Sequence, residues 1–126
     1  MTRSVTIIAA LLGLAGVALG AFGAHGLKSA VSPDMLDVWK TAVSYQMYHV
    51  PVILVLGLLP TVIGKRAVRI ASYCFIVGVL VFSGSLYALV IFSLPQLGMV
   101  TPFGGALLLL GWLALIVDVA IGKSES

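Results

Sequence analysis

The stretch VTIIAALLGLAGVALGAFGA, residues 5–24, carries no charged side chain. At about 1.5 Å per residue it spans about 30 Å as a helix, the thickness of one hydrocarbon core. Its surroundings point the same way. Of 126 residues, 61% are hydrophobic and 9% charged, and the mean hydropathy is +1.21. That leaves too little polar surface to coat a water-soluble globule. The expected solvent is lipid, and the expected organisation is a single membrane domain over residues 1–126. A net charge of +3, spread along the chain, is too weak to indicate nucleic acid and reads instead as membrane orientation. The single cysteine, Cys74, excludes an intrachain disulfide.

Residues 5–24 also have one feature of a cleaved signal peptide, because Ala21 and Gly23 are small residues where a signal peptidase cuts. Two observations favour a retained span. The apolar core is longer than a usual signal core, and Ala9, Gly13, Gly16, Gly20 and Ala24 form a small-residue stripe at helical spacing. Such a stripe lets a neighbouring helix approach closely.

Working outward, Ser32-Pro33-Asp34 opens a second helix. Ser32 caps it, Pro33 suits its first turn, and Asp34 with Asp37 complements the positive end of the dipole. Its first turns are amphipathic, with Met35, Trp39, Ala42, Gln46 and His49 on one side and Asp37, Lys40, Thr41 and Ser44 on the other. This extension is expected at the outer membrane face, with a span from about 46 to 63, a bend at Pro51, and an end at Pro60 and Gly64. A third span covers about 70–93. The segment 94–98 reads as a turn, Thr101 as a cap, and 103–121 as the fourth span. The expected fold is therefore an all-α, integral membrane four-helix bundle. Arg3, Lys65, Arg66, Arg69 and Lys123 fall on one side, with only Lys28 and Lys40 on the other, which predicts cytoplasmic termini.

Polar groups inside a span are costly and so carry information. Depth along the spans gathers His25, Tyr45, Gln46, His49, Ser83, Ser85, Tyr87 and Thr101 beneath the outer face. Gln46 and His49 continue the apolar side of the second helix and point inward. Ser85 continues the small-residue line of Ala71, Cys74 and Gly78. Trp112 lies far from the interfacial belt and needs an acceptor for its indole N–H; Ser83, at matching depth, is the expected one. These nine residues are candidates for bridging helices or for holding a small amphipathic ligand such as a lipid or quinone. Two histidines on different helices, without an acid or thiol at that depth, fall short of a zinc site, so no metal or other cofactor is expected. A bis-histidine haem is the remaining metal reading. No nucleophile, base and orienting group share a recognisable spacing, so no catalytic residue is assigned. Asp118, near the cytoplasmic end of the fourth span, is expected to pair with Arg3, Arg66, Arg69 or Lys123, or to reach water.

The blocks Gly20-Ala21-Phe22-Gly23-Ala24-His25-Gly26-Leu27, Trp39-Lys40-Thr41-Ala42 with Tyr45, Gln46 and His49, Phe82-Ser83-Gly84-Ser85-Leu86-Tyr87, and Thr101-Pro102-Phe103-Gly104-Gly105 with Gly111-Trp112 resemble the YgdD-type family of small membrane proteins of unknown function. The resemblance implies a multi-pass protein of the bacterial inner (plasma) membrane with no activity to carry over. The expected role is a non-enzymatic structural or accessory one. Its expected partners are the lipid bilayer and, through faces such as Gly16-x-x-x-Gly20, a second copy or a larger membrane complex.

Overall fold

The computed structural model describes residues 2–58 and 64–121. Helix α1 runs from Thr2 to Phe22 and continues into one wide π turn, Gly23–Leu27. Helix α2 covers Pro33–Leu58 and α3 covers Lys65–Phe92. A 3₁₀ turn, Pro95–Met99, leads into α4, Thr101–Ile121. All four helices are long and apolar enough to cross a membrane. Pro60, Lys123 and the polar tail lie outside the described residues.

Neighbours in sequence are neighbours in space. α1 packs along α2, α2 along α3 and α3 along α4, while α1 only grazes α3. Among the described residues α1 and α4 do not meet, so α2 and α3 form the centre and the other two helices flank it. The order comes from the face that α2 presents. Trp39, Ala42, Gln46, His49, Ile53 and Leu56 alternate at spacings of three and four, and all six are buried. Such spacing lines one side of a helix. Toward the Gly64 end, Ile53 packs in a cluster with Ala9, Phe75, Val79 and Leu108. Toward the His25 end, Trp39 gathers Leu27, Leu89 and Val90.

Small residues set how close the helices come. A Cβ on Gly16 would meet Gln46 Nε2 and Met47 Cγ, each at 3.2 Å, and one on Gly20 would meet Val43 at 3.4 Å. The stripe on α1 is therefore used within the chain, against α2, and is not left over for a partner as the sequence suggested. The line through Gly78 and Ser85 faces α4, where a Cβ on Gly78 would lie 2.8 Å from Leu108. At Gly104 the approach is closer still, since a Cβ there would fall on the backbone of Phe82.

The helix ends follow the sequence signals with two differences. Ser32 Oγ accepts the Met35 N–H at 3.2 Å, as a cap should. Pro51 lies inside α2, which stays helical to Leu58, and the expected end at Pro60 lies outside the described residues. Lys65, Arg66 and Arg69 are not in a loop but in the first turns of α3, where Lys65, Arg66 and Arg69 are all exposed. Long cationic side chains allow this, because their heads reach water while their stems stay with the helix. Thr101 does not cap α4; its hydroxyl turns across to α3.

The Gly104 geometry yields a paired prediction. Gly104→Ala should force α3 and α4 apart and cost roughly 1–3 kcal/mol, the usual scale of overpacking. At the adjacent Gly105 a Cβ would lie 3.8 Å from Phe82, an ordinary contact, so Gly105→Ala should be near neutral. Unfolding by sodium dodecyl sulfate from mild detergent micelles, followed by circular dichroism, measures both.

Candidate functional site

The polar candidates are joined mostly through α2. Gln46, 3% exposed, uses both ends of its carboxamide. Its Nε2 donates to the Leu12 carbonyl of α1 at 2.6 Å, and its Oε1 accepts from the Tyr87 hydroxyl of α3 at 2.6 Å. One side chain thus ties three helices together. In hydrocarbon an unpaired amide is costly, so this double use is what makes a glutamine tolerable there.

One turn along, His49 is 5% exposed and also doubly engaged. Its Nδ1 lies 2.7 Å from the Tyr45 carbonyl, and its Nε2 lies 3.0 Å from Trp112 Nε1. A carbonyl only accepts and an indole N–H only donates. The imidazole must therefore be the neutral tautomer with its proton on Nδ1. Phe75 stacks against both rings, 5.4 Å from His49 and 5.0 Å from Trp112. This cluster is the only described hydrogen-bonded bridge from α2 to α4, two helices that otherwise do not pack together.

Ser83 is not the acceptor for Trp112, as the sequence suggested. Its Oγ donates to the Ala42 carbonyl at 2.7 Å. The indole reaches the imidazole instead, and the serine faces α2. Ser85 Oγ donates to the Phe82 carbonyl at 2.9 Å and lies 2.6 Å from Thr101 Oγ1, which joins α3 to α4.

Two candidates stand apart. Tyr45 contributes its carbonyl to His49, but its ring is 41% exposed and packs on Phe82 at 4.7 Å and Tyr48 at 5.8 Å. His25 is exposed and makes no hydrogen bond or ion pair with a described residue. The π turn explains this, because Gly23 and Leu27 are its buried positions and His25 lies midway between them. The two histidines therefore do not form a pair of ligands for one metal or haem. Among the described residues no group of three or more His, Cys, Asp or Glu comes together.

Sequence reasoning missed other polar anchors. Trp39, 2% exposed, donates its indole N–H to the Leu19 carbonyl at 2.9 Å and extends the α2 stripe toward the His25 end. The signal was present, since Trp39 lies seven residues before Gln46 on the same face. Ser72 Oγ is buried without a hydrogen-bond partner. Asp118 forms no ion pair among the described residues; its Oδ2 accepts the Gly64 N–H at 2.9 Å. A carboxylate from α4 thereby serves the positive end of the α3 dipole.

Comparison with known proteins places this arrangement among uncharacterised relatives. A family described as "Protein of unknown function (DUF423)" matches residues 19–105. A UPF0382 membrane protein of Staphylococcus aureus (strain bovine RF122) is 41% identical over 113 residues, which is 88% of this chain and 90% of that protein. The UPF0382 membrane protein YwdK of Bacillus subtilis is 38% identical over 112 residues, 88% of this chain and 91% of its own. No solved structure matches this chain.

The link between Gln46 and Tyr87 can be measured directly. A double-mutant cycle with Gln46→Leu and Tyr87→Phe should return a coupling of about 0.6–1.7 kcal/mol in favour of the pair, the range for hydrogen bonds between membrane helices. Reversible unfolding in mixed micelles reads it.

Proposed function

Since the chain belongs to the family of membrane proteins of unknown function designated DUF423 and UPF0382, kinship brings no activity with it, and we propose a non-enzymatic structural or accessory role. The observation that carries this reading is the saturation of the polar stripe. Both ends of Gln46, both ring nitrogens of His49, and the hydroxyls of Ser83, Ser85 and Tyr87 are engaged with other groups of the chain. A site that holds a polar ligand or performs acid–base chemistry needs groups that still face a cavity. Here they face one another. The network is read as cement that keeps four helices in one rigid unit.

The placement follows the charge pattern, with cytoplasmic termini in a bacterial inner membrane, as the likeness to YgdD-type proteins also implies. The partner surfaces are the flanks. Ile7, Leu11, Leu14 and Val17 on α1, and Leu109, Leu113 and Ile116 on α4, are exposed apolar residues. They contact lipid in the bilayer and are the faces on which a second copy or a larger membrane assembly would dock.

Two experiments test the reading. Gln46→Ala and His49→Ala should each lower thermal stability in detergent by several degrees and leave the set of co-purifying molecules, read by native mass spectrometry, as in the unaltered protein. A molecule other than phospholipid that the folded variants release would contradict it. For orientation, single cysteines at Ser32 and Ser124 in a Cys74→Ala background should label from outside the cell at position 32 only. Ready external labelling at position 124 would reverse the topology.

A further inference from the structure

A groove lies on the flank where α1, α2 and α3 meet, beside the polar stripe and sharing Trp39 and Tyr87 with it. It has a volume of about 420 Å³ and is lined by Leu19 and Phe22 of α1, Trp39 of α2, and Gly84, Tyr87 and Ile91 of α3, with Ala88 and Phe92 completing it. It exists because α1 and α3 both lean on α2 while barely touching each other. Trp39 forms the floor, edge-on to Phe22 at 5.7 Å and tilted against Tyr87 at 4.7 Å. Tyr87 adds only its ring to the groove, since its hydroxyl is given to Gln46.

Gly84 is what singles this groove out. Glycine in a helix interior is less favourable than alanine, and Gly16, Gly57, Gly78, Gly104 and Gly111 have close neighbours that explain them. At Gly84 nothing lies within 4 Å of where a Cβ would be, the one such case among the described glycines whose surroundings are resolved. Its missing side chain permits no close helix contact. It leaves space, and that space is part of the groove.

We propose that the groove holds one acyl chain of a membrane phospholipid. Its volume corresponds to about 14 groups of water size at ~30 Å³ each, close to the bulk of one hydrocarbon chain. From Gly84 to Phe92 it follows about 12 Å of α3 and reaches the last residue of that helix. The chain therefore enters from headgroup level, and its headgroup-proximal half runs along the groove as far as Gly84. The walls are apolar and aromatic, which suits a hydrocarbon and offers no polar partner. At the mouth, the buried Leu27 packs in one cluster with Trp39, Leu19 and Tyr87, and the next residue is the exposed Lys28. Lys28 makes no ion pair with a described residue, so an exposed cation directly follows the residue that packs against the groove-lining side chains. Asp34 and Asp37, the nearby acids in sequence, begin α2, where its dipole favours them.

The Cβ of Gly84→Leu would meet nothing within 4 Å and its further carbons have the groove to occupy, so the helices should stay assembled. The test titrates protein delipidated in dodecyl maltoside with dioleoyl phosphatidylglycerol and counts bound lipids by native mass spectrometry. The unaltered protein should take up one lipid well ahead of any further ones. Gly84→Leu should weaken that first uptake by roughly tenfold or more with an unchanged melting temperature, and Lys28→Gln should weaken it to a smaller degree. Ile116→Trp, on the exposed face of α4, should leave it as it was. Equal uptake by Gly84→Leu and the unaltered protein, an equal loss in Ile116→Trp, or retention of a quinone in place of phospholipid would overturn the assignment. These outcomes are independent of Gln46 and His49, so the groove and the structural reading of the stripe can fail separately.

Discussion

A carboxamide placed among hydrocarbon must find a partner for both its donor and its acceptor, and the packing of this chain follows from meeting that requirement at Gln46. Its amide fixes α2 against the carbonyl of Leu12, and its oxygen fixes α2 against the hydroxyl of Tyr87. Once those two bonds are made, the rotation of α2 is set. Trp39, Ala42, His49 and Ile53 then fall on the buried side by helical spacing alone. His49 extends the same logic to α4 through Trp112. Apolar packing between membrane helices lacks the driving force it has in water, so small residues and a few hydrogen bonds decide the arrangement.

The result is the expected all-α four-helix bundle, open between α1 and α4 among the described residues. α2 and α3 carry the buried polar groups, while α1 and α4 are clamped to them on opposite flanks and expose long apolar faces. Clamping is chemically different on the two sides. Between α1 and α2 it relies on side chains that bond the backbone of the partner, Trp39 to Leu19 and Gln46 to Leu12. Between α3 and α4 it relies on near contact of backbones at Gly104, with Ser85–Thr101 at one end and Gly64–Asp118 at the other. The groove beside Gly84 is a consequence of the same layout, because two helices resting on a third leave a channel between them.

Much of this was legible in the sequence. The four spans, the cap at Ser32, the small stripe on α1 and the inward face of Gln46 and His49 all follow from hydrophobic runs and helical spacing. What the sequence hid has identifiable physical causes. Partners such as the carbonyls of Leu12, Leu19, Ala42 and Tyr45 are backbone atoms, which no residue type announces. Trp112 was matched by depth to Ser83 on an adjacent helix, whereas the indole reaches diagonally to His49. His25 was grouped with the cluster on depth, but the π turn buries Gly23 and Leu27 and leaves the imidazole outside. Asp118 was expected to seek a cation or water, and among the described residues its partner is the N-terminus of α3.

The central claim is that the buried polar groups of α2 are held in fixed pairs by the chain itself. The His49 ring reports on it most directly, because its two partners dictate one tautomer. Nitrogen-15 NMR of histidine-labelled protein in lipid nanodiscs should show His49 as a single neutral species protonated at Nδ1, with the signature lost from the spectrum of His49→Gln. A ring protonated at Nε2, or one averaging between tautomers, would contradict the account.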